Sequence, residues 1–161
     1  MQLNTKFDKL RSGGDGMYFV DREELTFKLA YINQLSQVLE ESEGYALERI
    51  AHMLIESVVD VGNMIIDGFI MRDPGSYKDV LDILEMEQVI PVQDAQMMRN
   101  TLYLRQWFVR DYINIDHNEV KRVFMENIAS YKQFKANVDA FIENELGPVS
   151  AFGKGGKVEE V

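Results

Sequence analysis

The chain has 161 residues, 46% of them hydrophobic and 27% charged, which is the balance of one globular domain and not of a disordered or membrane-spanning chain. It has no cysteine and only 2 histidines, which excludes disulfides, thiolate metal sites and a histidine-rich metal centre and fits a reducing compartment. A formal charge of −10 opposes nonspecific attraction to nucleic acid or anionic lipid, so any RNA contact needs a local cationic patch.

Residues 1–16 read as a flexible polar leader that closes on Ser12-Gly13-Gly14-Asp15-Gly16, and Met17 offers an alternative start. No apolar run approaches the roughly 20 residues of a membrane helix, and no signal peptide is visible; the expected compartment is the cytoplasm. Asp21 with Glu24 forms a capping-box pattern at the start of a first helix. Leu25, Leu29, Ile32, Leu35 and Leu39 then recur at helical spacing, up to a break at Ser42-Glu43-Gly44.

A second helix is predicted over residues 45–70. Arg49, His52, Glu56, Asp60, Asn63 and Asp67 fall within an arc of about 80° on it, while Ile50, Leu54, Ile55, Val58, Val61, Ile65 and Phe69 take most other sides. A helix apolar over so much of its circumference belongs in the middle of a bundle. Its polar stripe is either a solvated, ion-paired edge or one wall of a polar cleft. Arg72-Asp73-Pro74-Gly75-Ser76 is a turn in which Ser76 caps a short third helix over residues 77–88. Pro91 suits the first turn of a fourth helix, expected to run to about residue 114. Asp116 and Glu119 form a second capping box. Val120, Phe124, Ile128, Tyr131, Phe134, Val138, Phe141 and Leu146 give the fifth helix its apolar stripe, and Gly147-Pro148 stops it. Residues 153–161 are expected to form a flexible tail. With no repeat, strand period or second domain, the expected fold is a single all-α bundle of about five helices.

Chemistry-bearing residues gather in two places. His52 and Glu56 are an i, i+4 pair with Asp60 a further turn on, but a metal site needs ligands converging from another helix, and no such set is evident; no metal or other cofactor is expected. The second place is Arg105-Gln106-Trp107-Phe108-Val109-Arg110-Asp111-Tyr112. Arg99, Arg105 and Arg110 lie close in sequence with only Asp111 opposing them, and arginine suits phosphate through its planar fork. Arg105 and Tyr112 share a helical face, whereas Arg110 points about 140° round from Arg105. Trp107 and Phe108 could stack nucleobases, although aromatics on a bundle helix are more often core. His117 lies in a capping turn and is expected at the surface. Neither a P-loop nor a dinucleotide fingerprint is present, and no Ser-His-Asp set is suggested.

The segment from Glu48-Arg49-Ile50-Ala51-His52 through Asp60, Asn63 and Arg72-Asp73-Pro74-Gly75-Ser76-Tyr77 resembles the HepT-like branch of the HEPN superfamily. The fourth-helix stretch and the closing Glu145-Leu146-Gly147-Pro148-Val149 extend the resemblance over about residues 17–152. It implies a HEPN-like helical homodimer, a metal-independent ribonuclease toxin that cuts RNA, and an MntA-type nucleotidyltransferase antitoxin as partner. The family motif is Arg-x-x-x-x-His-x-Tyr; its histidine handles the proton, its arginine steadies the phosphate, and the antitoxin adds AMP to its tyrosine. Arg105 matches the motif arginine and Tyr112 the modifiable tyrosine. Arg110 stands where the family has histidine, and arginine stays protonated and cannot act as a general base. The resemblance therefore implies reduced or lost ribonuclease activity, with Arg99, Arg105 and Arg110 facing phosphate. His52 could supply the missing proton transfer if it lines the same cleft. The alternative is a noncatalytic dimeric module that binds nucleotide or protein.

Overall fold

The computed structural model describes residues 20–146. The leader 1–16, the alternative start at Met17, the Gly147-Pro148 stop and the tail 153–161 lie outside the described residues. Within them the chain runs as α1 (Arg22–Val38), a 3-10 turn (Leu39–Glu41), α2 (Gly44–Gly68), α3 (Tyr77–Met86), α4 (Val92–Thr101), α5 (Leu104–Val109) and α6 (His117–Leu146). No described residue is in a strand, and no helix among them is long and apolar enough to cross a membrane.

The predicted caps form. Asp21 Oδ1 accepts from the Glu24 N–H at 3.1 Å and opens α1. Asp116 Oδ1 accepts from the N–H groups of Asn118 and Glu119 at 3.0 and 3.2 Å and opens α6. Each satisfies donors that the first helical turn leaves without an intrahelical partner. Pro91 stands one residue earlier than expected, as the N-cap of α4.

α2 is the central element. Leu47, Leu54, Ile55, Val58, Val61 and Ile65 bury its apolar sides, and it touches α1, α3, α5 and α6. Gly62 is where α3 crosses it closely: a Cβ added there would stand 2.6 Å from Val80 Cγ1. The long helix α6 packs on α1, α2 and α4, with Phe124, Tyr131 and Phe134 fully buried. Each such aromatic removes enough apolar surface from water to contribute about 1.5–3 kcal/mol. Thr101 and Tyr131 satisfy each other's hydroxyls at 2.8 Å inside this layer.

The fourth rod departs from the expected single helix. At Leu102 and Tyr103 its hydrogen bonds tighten: the N–H groups of Leu102, Arg105 and Gln106 donate to carbonyls three residues back. This 3-10-like step changes the phase of everything after it. Leu104 turns into the core and Arg105 toward α2. The helix then stops at Val109, not near residue 114: the Gln106 carbonyl accepts from both Arg110 and Asp111, and Asn114 takes a left-handed backbone (φ 64°). Asparagine tolerates that conformation better than most residues, and β-branched Val109, Ile113 and Ile115 add no helix preference.

Candidate functional site

The polar stripe of α2 is uneven in exposure. Arg49, Asp60, Asn63 and Asp67 are exposed, whereas His52 and Glu56 are half-buried. The phase step in the fourth rod lays α5 over these two. Glu56 Oε2 accepts from Arg105 Nε at 2.5 Å, and Glu56 Oε1 accepts from the Tyr77 hydroxyl at 2.7 Å. His52 Nε2 lies 3.1 Å from Glu56 Oε2. One carboxylate thus joins side chains from α2, α3 and α5. The Arg105 guanidinium carbon stands 4.5 Å over the Tyr77 ring, a cation–π contact, and the Phe108 ring packs 5.5 Å from the His52 imidazole.

The electrostatics follow from these contacts. Burial works to raise the Glu56 carboxyl, but the hydrogen bonds from Tyr77 and Arg105 outweigh it and hold the group below the ordinary glutamate range. Burial, then the hydrogen bond to the Glu56 anion, raises the Tyr77 phenol. The hydrogen bond to Glu56 holds Arg105 more firmly protonated still. The cluster is an ionised pair with 39% of the arginine side chain open to solvent.

The turn before α3 places Tyr77. Arg72 Nη1 and Nη2 donate to the two Asp79 carboxylate oxygens, each at 2.8 Å. The Gly75 N–H donates to Asp79 at 2.9 Å, and Ser76 Oγ accepts from the Asp79 N–H at 3.0 Å. Tyr77 opens the helix capped in this way, so the Arg-Asp-Pro-Gly-Ser-Tyr segment serves as its mount.

The other expected site residues are distributed as follows. Arg110 and Tyr112 lie on the exposed segment just past α5, and Arg110 has no side-chain partner among the described residues. Arg99 turns away from Arg105: its Nη1 donates to Glu85 at 2.9 Å and its Nε lies 3.5 Å from Asp82, which ties α4 to α3. Trp107 and Phe108 are half-buried and pack on the core; Trp107 also meets Tyr103 edge-on at 5.8 Å. His117 is less superficial than expected, because its Nε2 lies 2.5 Å from Glu48 and binds the start of α6 to α2. Asp60, on the same stripe, pairs with Lys28 of α1 at 2.5 Å. Both readings of the stripe therefore hold in part: one stretch is an ion-paired edge and one is covered by α5. No group of three or more His, Cys, Asp or Glu among the described residues could hold a metal ion.

Glu56 as a hub, and Tyr77 at the site at all, were missed by sequence reasoning. The i, i+4 spacing of His52 and Glu56 was the available signal, but the other partners lie 21 and 49 residues away in sequence.

Comparison with known proteins agrees with the fold. The Ribonuclease HepT-like family matches residues 28–138. A curated relative from Bacillus subtilis (strain 168), named "Putative RNase YutE", is 36% identical over 143 residues, spanning 84% of this chain and 99% of its own length. A solved structure of YutE from Bacillus subtilis, titled as a cytosolic protein of unknown function, superposes with a TM-score of 0.77 at 36% identity, covering 84% of this chain and 99% of that one. The fold is a HEPN-like helical bundle, and the chain belongs to the HepT-like ribonuclease family.

Proposed function

We propose that the protein is a metal-independent endoribonuclease of the HepT type, slower than relatives that carry the full motif, and by descent the toxin partner of an MntA-type nucleotidyltransferase. The observation that carries this reading is Arg105, the residue matching the motif arginine, fixed over Tyr77 by Glu56 with its side chain partly open to solvent. Such a preorganised cation suits the charge that builds on a phosphate during strand cleavage. Arg110 extends the positive surface along the exposed segment but transfers no proton. Losing a positioned acid–base group costs about 10²–10⁴-fold in rate, which sets the expected deficit.

A homodimer fits the exposed apolar side chains beside the motif. Tyr103, Val109 and Ile113 are all large and exposed on α5 and its flanks, and a second copy would cover them. Tyr112, 63% exposed, is open to modification by the nucleotidyltransferase. A noncatalytic module that binds nucleotide or protein through the same face is the second reading, favoured by the arginine in the histidine position.

RNA cleavage in EDTA separates the two. Wild type is expected to cut slowly, Arg105→Ala to lose activity, and Arg110→His to gain by about 10²-fold or more. Silence of both wild type and Arg110→His would leave the binding module.

A further inference from the structure

His52 is the histidine that the fold brings to the Arg105 cluster, where the Glu56 carboxylate is already engaged by Arg105 and Tyr77. Glu56 holds His52 and Arg105 through the same oxygen, Oε2, at 3.1 and 2.5 Å. Phe108 packs on the imidazole from α5, so carboxylate and ring together restrain its orientation. The side chain is 22% exposed, so the imidazole is not sealed from solvent. Nε2 faces Glu56, and the other ring nitrogen has no partner among the described residues. A carboxylate on one imidazole nitrogen with the other left free is the arrangement that lets histidine accept a proton: the anion orients the ring and stabilises the imidazolium once it forms.

We infer that His52, oriented by Glu56, is the general base of this site, in place of the histidine that Arg110 supplants. The inference rests on the ribonuclease reading above. RNA lies with a phosphate on the open side of the Arg105 guanidinium. His52 Nδ1 takes the proton of the adjacent ribose 2′-hydroxyl, and the 2′-oxygen attacks phosphorus. The bond from phosphorus to the 5′-oxygen breaks, and that oxygen takes a proton from water. The products are a 2′,3′-cyclic phosphate and a 5′-hydroxyl, and the imidazolium returns its proton to solvent. Arg105 stabilises the added charge on the phosphoryl oxygens throughout and transfers no proton. Tyr77 and Phe108 position the arginine and the imidazole.

The test uses the full chain, EDTA and a labelled oligoribonucleotide, beside the same oligonucleotide with 2′-deoxyribose at the cleavage position. Wild type, Arg105→Ala, His52→Gln and His52→Ala are compared, the last with and without added imidazole. Glutamine keeps the size and a hydrogen bond to Glu56 but accepts no proton, so it separates chemistry from folding. The inference expects 2′,3′-cyclic phosphate ends, no cleavage at the deoxy position, a drop of about 10²-fold or more in both His52 variants, and partial recovery of His52→Ala by imidazole. Wild-type cleavage that Arg105→Ala abolishes but His52→Gln leaves within a few-fold overturns the role of His52 and keeps the ribonuclease reading. Loss in both His52 variants without imidazole rescue makes His52 a packing residue against Phe108 and likewise overturns it. No cleavage by wild type overturns the role of His52 whether or not Arg110→His cuts, and equal cleavage by Arg105→Ala removes the ribonuclease reading and this inference with it.

Discussion

Glu56 accepts from a tyrosine and an arginine and sits against a histidine, contacts that a solvated stripe residue would not need. A single carboxylate holding this many groups sets their relative positions to within hydrogen-bonding distances. Asp79 does the same for the turn below. Its hydrogen bonds from Arg72 and the Gly75 N–H bring its carboxyl from 3.8 down to about 2. The folded value is thus below the unfolded one, so the stabilisation is complete above the ordinary aspartate range and is lost as pH falls toward about 2. Asp79→Asn should therefore unfold at lower urea than wild type near neutrality, and the gap should narrow as pH is lowered through that window. Among the described non-glycine residues with positive φ, Ile70 is the β-branched one. It closes α2 at φ 55°, a left-handed conformation that β-branched residues adopt at a cost of about 1–2 kcal/mol. Its side chain is 60% exposed, so little burial is forfeited by removing it. Ile70→Gly should raise the urea midpoint by the equivalent of about 0.5–1 kcal/mol, the gain in strain being partly offset by the entropy of glycine in the unfolded chain.

Helix boundaries were legible wherever capping chemistry is local. Asp21, Ser76 and Asp116 announce α1, α3 and α6, and each side chain accepts the backbone hydrogen bond its position foretells. The fourth rod was not legible in the same way. No glycine or proline marks the step at Leu102 and Tyr103, which comes from how Thr101 and Leu104 are buried against the bundle. That step carries Arg105 to Glu56. The α2–α3 crossing likewise depends on a feature that periodicity does not reveal: Gly62 lets Val80 approach within the volume of a methyl group. Gly62→Ala should destabilise the protein by about 1–3 kcal/mol through overpacking, seen as a lower urea midpoint with an unchanged slope. A neutral or stabilising result would mean that α3 shifts freely on α2.

At the scale of the whole molecule, the net charge is −10. Long-range attraction of RNA is therefore weak, and under the ribonuclease reading binding depends on local contacts of arginine with phosphate. Affinity for a single-stranded oligoribonucleotide should fall steeply with salt, and Arg105→Ala and Arg110→Ala should each lower the slope of log K against log salt by about 0.7. Arg99→Ala should leave that slope unchanged, since Arg99 is paired with Glu85 and Asp82. A slope insensitive to Arg105 would place the RNA elsewhere on the surface.

From the sequence alone came the all-α class, the caps, the apolar faces and the family, because caps and apolar faces rest on residues close together along one helix and a family resemblance needs only the order of residue types along the chain. What only the tertiary structure decided is which polar residues meet. Glu56, Tyr77 and Arg105 come from three helices and are joined by a phase step and a capped turn, both consequences of packing. The same holds for Arg99 and His117, whose partners lie 14 and 69 residues away. Periodicity says which face of a helix a side chain occupies; the neighbouring helix decides whether that face meets water, an ion-pair partner or a catalytic cleft.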